Sequence, residues 1–352
     1  SVVVWGGSTP NSPTTTVPGN TELADLSINT GAIIPNFDAS TDSYTTYVPA
    51  SASSVNVTAT LADEANTRLI IDDQLHPSGG TATVSLTGNS TVIPVLVSPY
   101  LLPDKQYSIQ VIKDATIPDL AVTMTKADGS AYVNDTWTNQ AVSVSVDATD
   151  DAGVSSVTYS IDGGASWSVY GGSPFELTGN HVYSLLIKAT DLAGNETVAS
   201  HSVKISTGEL TLTPTLTLAD GAPYSSGAWT NQDVTASVYA ESGISGIADL
   251  THMINGASPQ AYVNQSPIVL NQEGTHAIEF QATDTAGNAL TASLSINIDK
   301  TLPIITLNGP TNVTLTRGSA YIEQYANATD NVGLAGAVVI SGTVDTDVVG
   351  TY

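Results

Sequence analysis

From Leu23 onward the chain alternates apolar residues with Ser, Thr and other polar residues at a period of two. That is the pattern of a strand with one face in a core and the other in water. Val142, Val144 and Val146 are separated by serines, and Val234, Ala236 and Val238 by Thr235 and Ser237. Tyr183, Leu185, Ile187 and Ala189 repeat the alternation, as do His276, Ile278, Phe280 and Ala282. Gly, Pro, Asn and Asp interrupt these runs after a few residues, and long runs of Glu, Lys and Leu are missing. The pattern predicts an all-β chain of half-buried strands paired into sandwiches.

Part of the pattern occurs twice. Trp137-Thr138-Asn139-Gln140 returns 92 residues later as Trp229-Thr230-Asn231-Gln232. Ala189-Thr190-Asp191-Leu192-Ala193-Gly194-Asn195 returns 93 residues later as Ala282-Thr283-Asp284-Thr285-Ala286-Gly287-Asn288. A period of this size exceeds the roughly 20–50 residues of solenoid and propeller units, so the copied unit is a whole domain with its own core. In the Asp-x-Ala-Gly-Asn segment, Gly and Asn are the residues that tolerate positive φ, and a tight turn between paired strands is expected there.

Five segments follow: a strand Val2–Trp5 with a Gly/Ser/Pro/Thr linker over 1–21, domains at 22–114, 115–207 and 208–300, and an incomplete domain at 301–352. In 22–114, Leu23-Ala24-Asp25-Leu26, Phe37-Asp38, Tyr44–Val48 and the closing Tyr107-Ser108-Ile109-Gln110-Val111 resemble the bacterial cadherin-like β-sandwich. The two Trp-Thr-Asn-Gln copies resemble immunoglobulin-like repeats of bacterial surface proteins. From Pro303, with Ala328-Thr329-Asp330-Asn331-Val332-Gly333 and Val349-Gly350-Thr351-Tyr352, the sequence resembles a further immunoglobulin-like family of such proteins. In that family more strand sequence follows the Val-Gly-Thr-Tyr, so 301–352 is expected to leave an apolar sheet face open. These resemblances imply tandem sandwiches on a bacterial surface or in the extracellular space.

Composition narrows the chemistry. The 352 residues hold 33 acidic and 8 basic side chains, a net charge of −25. Such a charge repels nucleic-acid phosphates and anionic headgroups, so neither is an expected partner. Cys is absent, which removes disulfides, zinc–thiolate sites and thiol catalysis. No apolar stretch reaches the roughly 18 residues of a spanning helix, and direct membrane insertion is not expected. Ser1 opens without a Met or a basic, apolar leader, so an export signal has been removed or lies outside this sequence.

No metalloprotease, hydrolase-elbow or phosphate-loop motif occurs, and no enzymatic activity is expected. The five histidines, His76, His181, His201, His252 and His276, lack metal-ligand spacing; His201 and His276 read as core or rim residues. Ser160-Ile161-Asp162-Gly163-Gly164-Ala165-Ser166-Trp167 matches an Asp-box. It occurs once where a propeller would need several, so a hairpin is expected, with Trp167 packed across it. Trp137 and Trp229, each just before a core strand, read as packing residues rather than sugar platforms.

The carboxylates are more informative. An immunoglobulin-like topology gathers the incoming chain, the loop between the second and third strands and the last hairpin turn at one pole. For 115–207 these places hold Asp114, Asp150 with Asp151, and Asp191. Clustered carboxylates suit Ca²⁺, which takes about six to eight oxygens; the same aspartates also suit plain Asx-turns, and the sequence leaves both readings open. Asp114-x-Thr-x-Pro recurs as Asp299-x-Thr-x-Pro, which with Asp330 makes a weaker candidate. The pole between them has Ser242 where Asp150 stood, with Glu241 adjacent, and should bind calcium weakly or not at all.

The expected role is therefore a non-enzymatic stalk, surface-layer or fibre element. Its partners would be other copies of itself, cell-surface components or polysaccharide. Val2–Trp5 could complete the open 301–352 sheet of another copy, or both ends could be cuts through a longer chain. An accessory region of a large secreted carbohydrate-active enzyme is the alternative role.

Overall fold

The computed structural model describes residues 20–352, so the strand expected at Val2–Trp5 lies outside the described residues. Those residues form strands and no helix, as the period-two pattern requires; none of them offers a helix long and apolar enough to cross a membrane. Two compact units result: the described residues up to Thr136 with Gln140–Lys204, and Trp137–Asn139 with Ile205–Tyr352.

The first unit begins with a sandwich of two sheets. One sheet sets Leu23–Ile28 and Thr81–Ser85 on either side of Ser54–Leu61, all antiparallel. The other orders Ser43–Pro49, Lys105–Asp114, Ser90–Pro99, Thr67–Ile71 and Gln74–His76, with its first pair parallel. Alternation decides which side chains face inward: Val55, Val57, Ala59 and Leu61 are buried, while Asn56, Thr58 and Thr60 between them are not. Ile93, Val95, Tyr107 and Ile109 meet them from the second sheet. The Tyr107 hydroxyl donates to the Ala39 carbonyl at 2.9 Å, so the largest core side chain buries no unsatisfied polar atom.

The second sandwich of this unit pairs Val142–Thr149 with Asp119–Lys126 and Phe175–Leu177. Across from it, Glu196–Ile205, His181–Asp191, Val154–Ser160 and Ser168–Val169 lie side by side in that order. Val142, Val144, Leu185, Ile187 and Ala189 fill the interior.

The second unit repeats this plan in its own residues. Val234–Glu241 lies between Thr211–Leu218 and Ile268–Leu270. The facing sheet contains Ala289–Ile298, Gly274–Asp284, Ile247–Ile254 and Gln260–Ala261, with Trp229–Thr230 added parallel at its edge. Registers are conserved to the bulge: Val154 opposes Asp191 and Ser156 opposes Thr190, as Ile247 opposes Asp284 and Asp249 opposes Thr283. Phe280 and Ile278 take the places of Ile187 and Leu185.

In both Asp-x-Ala-Gly-Asn turns, Gly194 and Gly287 hold positive φ, 92° and 95°, while Asn195 and Asn288 do not. The expectation for Asn is corrected: these residues serve through their amides, as described below. Beyond residue 300, Ile304–Leu307 pairs only with Ala326–Thr329. Ile304, Ile305 and Leu307 are exposed, so this sheet presents apolar side chains that no described strand covers.

Candidate metal centre

The loop after Val142–Thr149, the turn after His181–Asp191 and the last residue of Lys105–Asp114 converge at one pole of the second sandwich. Carboxylate oxygens of Asp114, Asp150 and Asp191 there lie within 4.8 Å of one another. Asp191 is only 1 % exposed. Its Oδ1 accepts the Asn195 N–H and its Oδ2 the Asn195 side-chain amide, both at 2.8 Å. The same amide reaches the Asp114 carbonyl at 3.5 Å, tying the turn to the incoming chain. Asp151 is exposed and stays outside the group.

Asp114 Oδ1 accepts from Thr116 N–H at 2.9 Å and from its hydroxyl at 2.6 Å. Asp150 Oδ1 accepts from Ala152 N–H at 2.8 Å. These are Asx-turns, so that reading of the sequence holds. They use only Oδ1, however. Asp114 Oδ2 is enclosed and has no hydrogen-bond partner, an arrangement that costs free energy unless something supplies positive charge or a donor. Burial pushes the Asp114 carboxyl up, but the Thr116 hydroxyl and N–H and the Ala115 N–H hold it below its ordinary range. It is ionised at neutral pH. None of the ion pairs among the described residues reaches this pole.

The corresponding pole of the third sandwich solves the same problem without a cluster of acids. The 92-residue offset puts Ser206 at the place of Asp114 and Ser242 at that of Asp150. Asp284, 2 % exposed, accepts from Asn288 N–H and Asn288 Nδ2 at 2.8 Å each, as Asp191 does from Asn195. It also accepts the Ser242 hydroxyl at 3.2 Å and the Ser245 hydroxyl at 3.1 Å. Asn288 Nδ2 reaches the Ser206 carbonyl at 2.8 Å. Gly243 leaves room for the neighbouring carboxylate, because a Cβ here would stand 1.8 Å from Glu209 Oε2. One hydroxyl donor, Ser242, thus stands where the first pole has the Asp150 carboxylate, and Ser245, three residues on, supplies a second.

Burial pushes Asp284 up, yet the Asn288, Ser245 and Ser242 donors leave its carboxyl below the ordinary 3.8. A carboxyl whose folded pKa is depressed stabilises the fold above its unfolded value and loses that contribution as pH falls through the folded one. Asp284→Asn is expected to lower stability at pH 7 by about 1–3 kcal/mol, because an amide cannot accept from every one of these donors. The variant should lose less than the parent between pH 5 and pH 3, as measured by urea unfolding at each pH.

Asp299 Oδ1 accepts from Thr301 N–H and Asn331 Nδ2, at 3.1 and 3.0 Å, and Asp330 Oδ1 from Val332 N–H at 3.1 Å. No third acid joins them among the described residues. His201 Nε2 is enclosed without a partner and burial lowers its pKa, while His276 Nε2 contacts the Gln272 carbonyl at 2.8 Å. Neither belongs to a group of ligands. The expected packing of Trp229 is corrected: the ring is 49 % exposed, since a two-residue strand at a sheet edge covers one side of it at most.

Residues 23–114 match the cadherin-like beta sandwich domain, and residues 305–352 the Ig-like domain of bacterial surface proteins. Two segments of the chain thus match non-catalytic sandwich domains, the second of them of bacterial surface-protein type. No curated protein matches the sequence. Among solved structures, an I-band fragment of titin is similar at 11 % identity over 80 % of this chain and 99 % of that one, with a TM-score of 0.38. A tetra-tandem repeat from the extending region of a large adhesion protein is similar at 14 % identity over 76 % and 77 %, with a TM-score of 0.25. A region of a 1.5-MDa bacterial ice-binding adhesin is similar at 16 % identity over 78 % and 98 %, with a TM-score of 0.26.

Proposed function

We propose that this chain is a non-enzymatic extending segment of a surface-displayed or secreted bacterial protein. In this reading, Ca²⁺ at Asp114, Asp150 and Asp191 fixes the second sandwich to the strand that leads into it. The observation that carries it is the enclosed, unpartnered Asp114 Oδ2 facing two further carboxylates. A hard divalent cation offsets their mutual repulsion and takes oxygen ligands without demanding rigid geometry. Ca²⁺ bound only by the folded state adds RT ln(1 + [Ca²⁺]/Kd) to stability, about 2.7 kcal/mol at a hundredfold excess over Kd. Calorimetric titration of the EDTA-treated full chain should show one saturable calcium site. A flat titration would remove calcium from the proposal.

A second reading concerns partners. The exposed Ile304, Ile305 and Leu307 favour strand addition from another copy, with Val2–Trp5 as the donor. In sedimentation at rising concentration the chain should then self-associate, and deleting residues 1–5 should abolish this. A strict monomer would exclude it.

A further inference from the structure

The second and third sandwiches are two copies of one fold, so solvent-facing positions at which they differ are not dictated by folding. The widest such difference lies on the outer face of the sheet that contains His181–Asp191. Thr158 pairs there with Lys188 on one side and Val169 on the other, where the sister copy pairs Thr251 with Gln281 and Ala261. The 93-residue offset gives Glu279 for Leu186 and Thr291 for Val198. Trp167 immediately precedes the edge strand, where the sister has Pro259. One copy therefore displays an indole, two valines and a leucine where its twin has Pro259, Ala261, Thr291 and Glu279.

This face is held rigidly. Ser160 Oγ donates to Asp162 Oδ1 at 2.7 Å, Ser166 N–H to Oδ1 at 2.9 Å and Ser166 Oγ to Oδ2 at 2.5 Å. Gly164 N–H donates to Ser160 Oγ at 2.8 Å. These bonds clamp the hairpin directly before Trp167. The ring lies across the turn, its Cζ2 and Nε1 3.9 and 4.0 Å from where a Gly164 Cβ would stand, yet Trp167 keeps 42 % of its surface exposed, with Lys188 Nζ 5.5 Å from the ring centroid. Val169 and Val198, on other strands of this sheet, are 76 % and 55 % exposed. Lys188 also contacts Glu196 Oε1 at 3.0 Å, which places an ammonium and a carboxylate on the same face as the indole.

We propose that this face is a binding platform for a neutral polysaccharide, one hexose ring resting on Trp167. A sugar ring presents C–H bonds on its face and hydroxyls around its rim. It therefore needs an aromatic plane with donors and acceptors at the edge, and a preorganised plane costs little ordering on binding. The net charge of −25 disfavours acidic glycans. One indole with a few scattered aliphatic side chains is far smaller than the roughly 800 Å² per partner of a stable protein interface.

The test is calorimetric titration of the full chain with cellohexaose, maltohexaose and N-acetylchitohexaose, with tryptophan fluorescence followed in parallel. At least one should bind with a Kd of about 1 mM or tighter, and Trp167→Ala should weaken it about tenfold or more, roughly 1.4 kcal/mol. Trp229→Ala should leave the affinity unchanged. Val198→Thr and Val169→Ala install residues of sister-like size and polarity that this fold already accommodates, and each should weaken binding by about twofold or more without loss of structure. No saturable signal up to about 10 mM with any of the three, or an unchanged Kd in these variants, would overturn the proposal. So would concentration-dependent self-association that Trp167→Ala abolishes, which would give the face to a second copy.

Discussion

Asp150→Ser is expected to be more stable than the parent chain in EGTA and less stable than it in saturating calcium. In the sister pole Ser242 occupies this position and donates to Asp284, so the hydroxyl introduced by the substitution should donate to Asp191 in the same way. Without a cation the exchange replaces a repelled carboxylate by a hydrogen bond, a gain of about 1–2 kcal/mol. With calcium at about a hundredfold excess over Kd, only the parent gains about 2.7 kcal/mol, and the order of stability reverses. Calorimetric unfolding of both proteins in both buffers gives the four values. If the two lines do not cross, the serines and the cation are not interchangeable solutions to one electrostatic problem. Asp191→Ser makes a poor substitute in this experiment, because it also removes the acceptor for both Asn195 donors.

Phe280→Ala is expected to cost about 3–5 kcal/mol. The ring is fully buried, meets Tyr262 edge-on at 5.1 Å, and stands in the sheet centre between Ile278 and Ala282. Its loss leaves a cavity that Val234, Ala236 and Val238 are too short to close. For a sandwich of this size the melting transition should fall by roughly 15 °C or more. The effect should be confined to the unit that contains residues 205–352, since the first sandwich has a separate core. A scan in which one transition shifts and the other stays is the expected record. A common shift of all transitions would mean one continuous interior, against both the repeat and the separate cores.

The strands and the duplication were legible because both rest on local periodicity, which burial enforces residue by residue. Asp114, Asp150 and Asp191 were legible as a group because an immunoglobulin-like topology fixes which loops share a pole. Asp151 was grouped with them although its neighbour faces the pole and it does not, a distinction of side-chain direction that spacing alone does not carry. The roles of Asn195 and Asn288 were misread as backbone conformation. Their position four residues after a buried Asp, in both copies, is the signal that could have shown an amide closing the turn on its own carboxylate. Ser242 was read as a missing ligand, whereas it and Ser245 are donors to Asp284. Trp167 and Trp229 were assigned to packing because tryptophan usually buries itself. The two-residue edge strand gives Trp229 too little to pack against, and the hairpin covers only part of Trp167.

The parallel pairing inside the first sandwich bears on how the chain would respond to a pull along its length. Ser43–Pro49 and Lys105–Asp114 run in the same direction through seven register pairs. A load entering at Asp114 therefore strains that ladder in shear, all rungs at once. In the third sandwich the parallel ladder has only the pairs Trp229–Asn297 and Thr230–Ile298, so far fewer rungs share the load there. Of these two sandwiches, the third would give up its length first under a pull on the chain, and the cadherin-like one would hold longer.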